Sequence, residues 1–574
     1  MTRGRLLAAA LLCVMGSGLV RAQDKPVPPP TDIRPETSTP VRKKLPGLNL
    51  PQYVITGADE IGFPPSAKEE AELLRPAGFA ERAGRGDREA RFGDVSPLRR
   101  PLDVAALDGL RKRLRVLAGF GRFSTPLIEA WYGDRYTLAD IAAHLRYEQS
   151  DGHVDRADHT RFNIDLTGGT WLPTTAHPLL ARSRLEGSVA VSHDTYGLYA
   201  DKLPVTAPPL DLRRGLTTAR WGASLASRGN SIAEHHAAVH LEHTVLHEDA
   251  ALRDSADLGR FSREEHVLAL AAGAQLHAWG QPVDAEIDLR LGMGTTTAGN
   301  PNRPFFGEIS AASRFTLGAS TDLEGGLHFW LMQGSRTTLS GRMYPRFTLT
   351  HHLDTEASLF AAWLPSVERM TLGGMLLRSP YLDATAELRH NDVPVRAQIG
   401  GAWDDRSRLA VRTWIDFSYA TSWLRVDRGS DPLAQTFETA YAGGTSITAL
   451  HVDGAYQIPG AGRLQGRLAL RSARVAGEDV PLAYVPGVEV STIYTHAFGF
   501  GLELGAQLTL EASRRDRDGD LPTLLLVSLH AEYAITPLFG VFARVHNLLD
   551  QRTEQWRGYS QRPIFIMGGL VLQL

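Results

Sequence analysis

The chain of 574 residues has a single cysteine, Cys13, and it lies inside an apolar leader. Once that leader is removed no thiol remains, which excludes disulfide staples and thiolate zinc sites. An excess of one charge is also missing: 61 basic residues face 64 acidic ones. A nucleic-acid binder would be strongly basic, and a chain disordered throughout would fall well short of 43% hydrophobic residues. No later stretch approaches the ~20 apolar residues of a spanning helix, so only strands could carry this chain into a membrane. Gly-x-Ser-x-Gly and His-Glu-x-x-His are absent, and no carboxylates are paired for acid–base work. No enzyme activity, catalytic residue or cofactor is therefore expected.

What is present begins with a secretory pattern. Arg3 and Arg5 precede the apolar run Leu6 to Val14, and Val20-Arg21-Ala22 is a small-residue cleavage site, so residues 1–22 read as a signal peptide. Residues 23–52 are rich in Pro, Thr and charge, as in a flexible, partly extended linker. Tyr53-Val54-Ile55-Thr56-Gly57 is a short β-prone island. Residues 58–112 mix acids, bases and Ala and read as a short polar segment of brief helices or coil.

From residue 113 onward a period of two dominates. In VDAEIDLRL, Val283, Ala285, Ile287, Leu289 and Leu291 share one face, and Asp284, Glu286, Asp288 and Arg290 share the other. In GRLQGRLALR, Leu464, Leu468 and Leu470 oppose Arg463, Gln465, Arg467 and Arg471. LDATAELR sets Leu382, Ala384, Ala386 and Leu388 against Asp383, Thr385, Glu387 and Arg389, and LAVRTWIDFSY follows the same rule. Such alternation marks strands with one greasy and one wet face. A soluble sandwich uses strands of ~5–6 residues. A membrane barrel needs ~9–11, with lipid outside and a polar lumen inside, and the strands here are of the longer kind.

Counting back from Leu574 gives strands near 562–574, 537–546, 523–533, 501–511, 490–498, 462–472 and 447–457. Their connections alternate between long loops and tight turns, the habit of outer-membrane barrels. Extended to residue 113, the count predicts an all-β, transmembrane antiparallel β-barrel of roughly 22 strands, with a short N-terminal periplasmic segment. Trp131-Tyr132, Phe305-Phe306, Phe329-Trp330 and Trp363 are expected at the membrane interfaces. In the last strand Ile564, Ile566, Leu570, Leu572 and Leu574 are expected to face lipid and Gln573 the lumen.

The C-terminal segment resembles the end of TonB-dependent outer-membrane receptors. Asn547, Leu548, Leu549, Asp550 and Arg552 match the end of the penultimate strand; Gly558, Tyr559 and Arg562 match the loop before the closing strand. Family members usually end in Phe, and this chain ends in Leu574. Tyr53–Gly57 resembles the TonB box, which acts by strand addition to the periplasmic energy-coupling protein. The family's plug domain is far longer than residues 58–112, so the resemblance covers 113–574 and the box. It implies residence in the outer membrane and uptake or passage of a solute. The implied partners are outer-membrane lipid, the TonB protein and, during biogenesis, the barrel-assembly machinery. Asp284, Glu286, Asp288, Arg290, Arg463, Arg467 and Arg471 would line the route. Two rival readings are a plug-less barrel serving as a scaffold or assembly platform, and a soluble secreted β-protein.

SIAEHHAAVHLEHTVLHEDA holds the densest histidines. As a helix it would gather His236, His240, His243 and His247 on one face, as a metal site requires. As a strand it separates its apolar residues cleanly, so these histidines are expected to line the lumen. DRDGD at 516–520 lacks the order of a calcium loop and is expected to be a solvated surface loop.

Overall fold

The computed structural model describes residues 112–574, apart from 137, 174–179, 182, 203–209, 228–233, 253–254, 279–280, 297–303, 336, 406, 429–434, 461 and 479–480. The signal segment, the linker, the box-like Tyr53–Gly57 and residues 58–111 lie outside the described residues.

Twenty-two strands form one antiparallel sheet. Each pairs with the next barrel strand in the chain, and the last, Phe565–Gln573, pairs with the first, Lys112–Gly121. The sheet is therefore a closed cylinder with no free edge, which a lipid environment requires. Closure also fixes the chain end: the Leu574 N–H donates to the Leu114 carbonyl (2.8 Å), and the Leu114 N–H donates back to the Leu574 carbonyl (2.9 Å). A terminal residue that would fray in water is held as part of the seam.

The face rule follows from the pleat. Ile287, Leu289 and Leu291 are exposed on the outside, as are Ile415, Phe417 and Tyr419, and Leu464 and Leu470. In the last strand Ile566, Leu570 and Leu574 are exposed, while Phe565, Met567 and Val571 turn inward and are buried. In water such a belt would be a large apolar patch, and against hydrocarbon it is satisfied. The barrel is thus a transmembrane one of the outer-membrane kind.

Most connections at one end are tight and built by local chemistry. At 405–408 the Asp405 carboxylate accepts from the Ser407, Arg408 and Leu409 N–H groups (2.9, 2.6 and 2.8 Å), which holds its pKa down at about 2. At 535–538 the Thr536 hydroxyl accepts from the Leu538 and Phe539 N–H groups. At 459–461 Gly460 takes a φ of +67°, where a side chain would be strained. The opposite end carries longer connections, with short ribbons such as Trp423–Arg428 with Phe437–Ala442 and Glu554–Trp556 with Tyr559–Ser560.

Three expectations need correction. LDATAELR is no barrel strand. It lies in the connection 364–394, where Leu382, Ala384, Ala386 and Leu388 are buried against protein. Its alternation is real, but a period of two cannot tell a lipid face from a protein core. The aromatic pairs also split. Trp131, Phe306 and Trp330 are buried on the inner wall, because neighbours on a strand point to opposite faces and a dipeptide offers lipid only one ring. Lastly, DRDGD is not wholly solvated: Asp516 is buried and accepts two bonds from the Arg557 guanidinium (2.7 and 2.8 Å).

Candidate functional site

The inner wall is charged, and its charges are paired both across strands and between second neighbours on one strand. Arg115 meets Glu532 at 2.5 Å, Arg161 meets Asp194 at 3.2 Å, and Arg396 meets Asp416 at 3.0 Å. The residues expected on the lumen fall within this pattern. Asp288 binds Arg290 (2.6 Å), and Asp284 accepts from the Gln275 amide (3.0 Å). Glu286 lies 4.0 Å from His236, Arg467 pairs with Asp453 (3.1 Å) and Arg471 with Glu489 (2.5 Å). Arg463 sits in register with Gln457 and Thr495. Such a wall of alternating sign presents polar groups without the field of a single charge.

Across the long-loop end the chain builds a cap, which sequence reading did not foresee. Its body is the connection 364–394. This segment contains a ribbon, Ser366–Glu368 with Asn391–Val393, and a one-helix insert, Leu372–Arg378. Met370, Leu372, Met375, Leu376, Leu382 and Leu388 are buried, packed with Leu216 and Leu246 of the wall. Full burial of each such side chain contributes roughly 1.5–3 kcal/mol.

Polar wall residues latch this segment. The helix begins at Thr371, whose hydroxyl accepts from the Gly374 N–H (3.0 Å). Its first turn has no acid of its own, and Glu265 from strand Ser255–Ala278 supplies one, accepting from the Leu372 N–H at 2.6 Å. From the same strand Arg263 donates to the carbonyls of Ala384 (3.0 Å) and Ala386 (2.7 Å). Buried Arg214 and Tyr196 both donate to the Pro380 carbonyl (2.6 and 3.0 Å). At the other edge Asp392 accepts from Arg342, Tyr344 and Thr421. Each bond to a charged group is worth about 1.5–3 kcal/mol, and losing one partner strands the other in a buried place.

An aromatic keystone joins five connections. Tyr381 stacks on Tyr559 with centroids 3.6 Å apart, and Tyr199 meets Tyr559 edge-on at 5.0 Å. Trp556 packs on Tyr484 (4.5 Å) and Phe437 (5.4 Å). Burial pushes the phenols of Tyr199 and Tyr559 well up, so both stay neutral. The Tyr559 hydroxyl donates to the Gln435 carbonyl and that of Tyr199 to the Ser560 carbonyl. Beside the keystone a small cavity is lined by His153, Tyr196, Tyr199, Tyr381, Tyr559 and Arg562, among others. Burial lowers the pKa of the His153 imidazole and brings that of Arg562 down to about 10.

The C-terminal motif residues meet at the root of this cap. Asn547 is buried, with φ +51°. Its amide donates to the carbonyls of Gln551 (2.8 Å) and Arg562 (2.7 Å), and its oxygen accepts from the Gln551 N–H (3.0 Å). Asp550 accepts from the Ile564 N–H (2.8 Å), and the Gly558 N–H, at φ +87°, donates to Glu554. Leu548 and Leu549 are exposed. The histidines divide: His236 and His240 share the inner face with buried Thr244 and Leu246, while His243 and His247 share the outer face with exposed Val239 and Leu241. The strand reading, which turns His236 and His240 inward and Val239, Leu241 and Val245 outward, has the same parity, and it is that parity which puts His243 and His247 outside the lumen.

No family model and no curated protein matches the sequence. Solved structures do match in fold. The FrpB iron transporter from Neisseria meningitidis (F3-3 variant) has a TM-score of 0.63 at 11% identity, over 83% of each chain. The alcaligin outer-membrane receptor FauA from Bordetella pertussis has a TM-score of 0.55 at 15% identity, over 81% of this chain and 76% of that one. The ferric-catecholate import receptor Fiu from E. coli K12 has a TM-score of 0.60 at 11% identity, over 81% and 82%. This chain has the barrel fold of the TonB-dependent outer-membrane receptors.

Proposed function

We propose that the protein takes up a solute across the outer membrane, with the cap acting as an external gate over the lumen and energy supplied through Tyr53–Gly57. The observation that carries this reading is the cap itself: a segment of chain latched by hydrogen bonds to wall residues, over a wall of paired charges. The structural neighbours named above are an iron transporter, an alcaligin receptor and a ferric-catecholate receptor, which makes a ferric chelate the first cargo to try. Cells carrying the full chain should accumulate a labelled ferric chelate from a panel of catecholates and hydroxamates. Deleting Tyr53–Gly57 should abolish accumulation while the barrel still assembles; undiminished uptake would remove the energy-coupling part of the proposal.

The depth of burial in the cap favours a second reading, a permanently sealed barrel used as a scaffold. Deleting residues 370–388 should open a pore under either reading, so cargo separates the two: a gated transporter with its cap intact accumulates a labelled ferric chelate in cells, and a permanently sealed barrel accumulates none of the panel.

A further inference from the structure

Outside the lumen, on three adjacent strands, a row of side chains combines two imidazoles with a thioether. His243 of strand Glu234–Leu252 is in register with His266 of strand Ser255–Ala278, and His266 is in register with Met293 of strand Gln281–Thr296. All three share the outer face with exposed Leu241, Leu270 and Leu291, and Met293 itself is 62% exposed. Below the row the outer face is apolar. Above it stand His247 and Glu264, so the row marks the first polar level over the lipid belt.

The two imidazoles converge. Their Nδ1 atoms lie 3.0 Å apart, with ring centroids at 4.4 Å and planes within 23°. Two nitrogens on one metal ion, each at ~2.0 Å with bonds ~95–110° apart, are themselves about 3–3.3 Å apart. Met293 is directly opposed to His266, and Cβ atoms of such pairs are ~4.5–5.5 Å apart, so its flexible thioether approaches the imidazole pair from the His266 side. Among the described residues no group of three His, Cys, Asp or Glu side chains could hold a metal. A methionine sulfur is the ligand that completes this set.

We propose that His243, His266 and Met293 form an external binding site for a soft monovalent metal ion, Cu(I), with Ag(I) as its redox-inert equivalent. Two imidazoles and a thioether suit a soft ion; the Glu264 carboxylate, 4.0 Å from the His266 Nε2, is a single oxygen ligand where Mg(II) and Ca(II) need about six or more. The site lies on the outer surface and is independent of transport through the lumen.

The test is Ag(I) titration of the full-length protein in detergent micelles, in chloride-free buffer, followed by calorimetry. Wild type should bind one more ion than His266→Ala. Met293→Leu should weaken that ion at least tenfold while leaving Zn(II) binding as in wild type. All three side chains point outward, so the variants should keep the heat-modifiable gel mobility of a folded barrel. Equal Ag(I) stoichiometry and affinity in wild type and both variants, or an equal loss of Zn(II) and Ag(I) in Met293→Leu, would overturn the proposal.

Discussion

The ring of Tyr381 lies flat on that of Tyr559, 3.6 Å between centroids and 22° between planes, and joins the middle of the chain to its last loop. One belongs to the connection 364–394 and the other to the turn before the closing strand. The stack therefore ties the cap's largest segment to the barrel seam, while Tyr199 braces both rings from the side.

Removing either ring should loosen the cap. Tyr559→Ala should cost on the order of 3–5 kcal/mol of local stability, as for a buried aromatic, and Tyr381→Ala, at a half-buried ring, less than that. The double variant should cost less than the sum by about 0.5–1.5 kcal/mol, the coupling of a stacked pair. Planar-bilayer recordings should show transient openings in either single variant. Silent traces in both would place the gate elsewhere.

Cys13 is the chain's single cysteine, so a thiol introduced into the cap is a distinct probe of the latch. Ala386→Cys puts a thiol at a buried cap position, where maleimide should not reach it in whole cells. Adding Arg263→Ala leaves the Ala384 and Ala386 carbonyls without their donor, a loss of roughly 3 kcal/mol or more. Labelling should rise at least tenfold. Equal labelling in both backgrounds would show that Arg263 does not hold the segment.

Acid should open the same region through His390. Its Nδ1 accepts from the Met370 N–H (3.2 Å), which requires the proton on Nε2, where it is donated to the Phe305 carbonyl (3.1 Å). Burial brings its pKa down to about 4, against ~6.5 when free. The unfolded or opened state therefore binds the extra proton first. The contribution is whole above pH 6.5 and is lost as pH falls toward 4, a total of about 3 kcal/mol. Protection factors of residues 370–390, corrected for the intrinsic slowing of amide exchange at lower pH, should fall by up to about 100-fold between pH 6.5 and 4.5, and His390→Leu should flatten that dependence.

Much of the wall was legible before the structure, and the cap was not. The strand Leu524–Ala534 falls within a residue of the expected 523–533, because a lipid-facing strand must alternate along its whole length. Gln573 and Leu574 were placed by the same reasoning. The Leu382–Leu388 stretch alternates just as well, yet its apolar side meets Leu216 and Leu246 of the inner wall. Only the contact partner distinguishes the two cases, and that partner is remote in sequence. Arg214, Arg263 and Glu265 carried the available clue, since charges on the inner face near a strand's outer end need something polar to hold. At the seam the inner face mixes apolar Leu117, Leu127, Trp131, Phe542 and Met567 with charged Arg115, Glu129 and Arg544, so the period of two reads less cleanly there.

Asn547 offers a test of the root of the cap in which conformation and bonding can be separated. Its φ of +51° suits Asn or Gly, and its side chain makes three hydrogen bonds that tie both ends of the loop 547–564 together. Asn547→Gly keeps the backbone and loses the bonds. Asn547→Ala loses both, and should cost about 1 kcal/mol more than the glycine variant. The temperature at which the folded band converts to the unfolded one on a gel should fall for both, further for alanine. If glycine behaves as wild type, the residue serves the turn alone, and the bonds to Gln551 and Arg562 contribute nothing measurable to holding the closing strand in place.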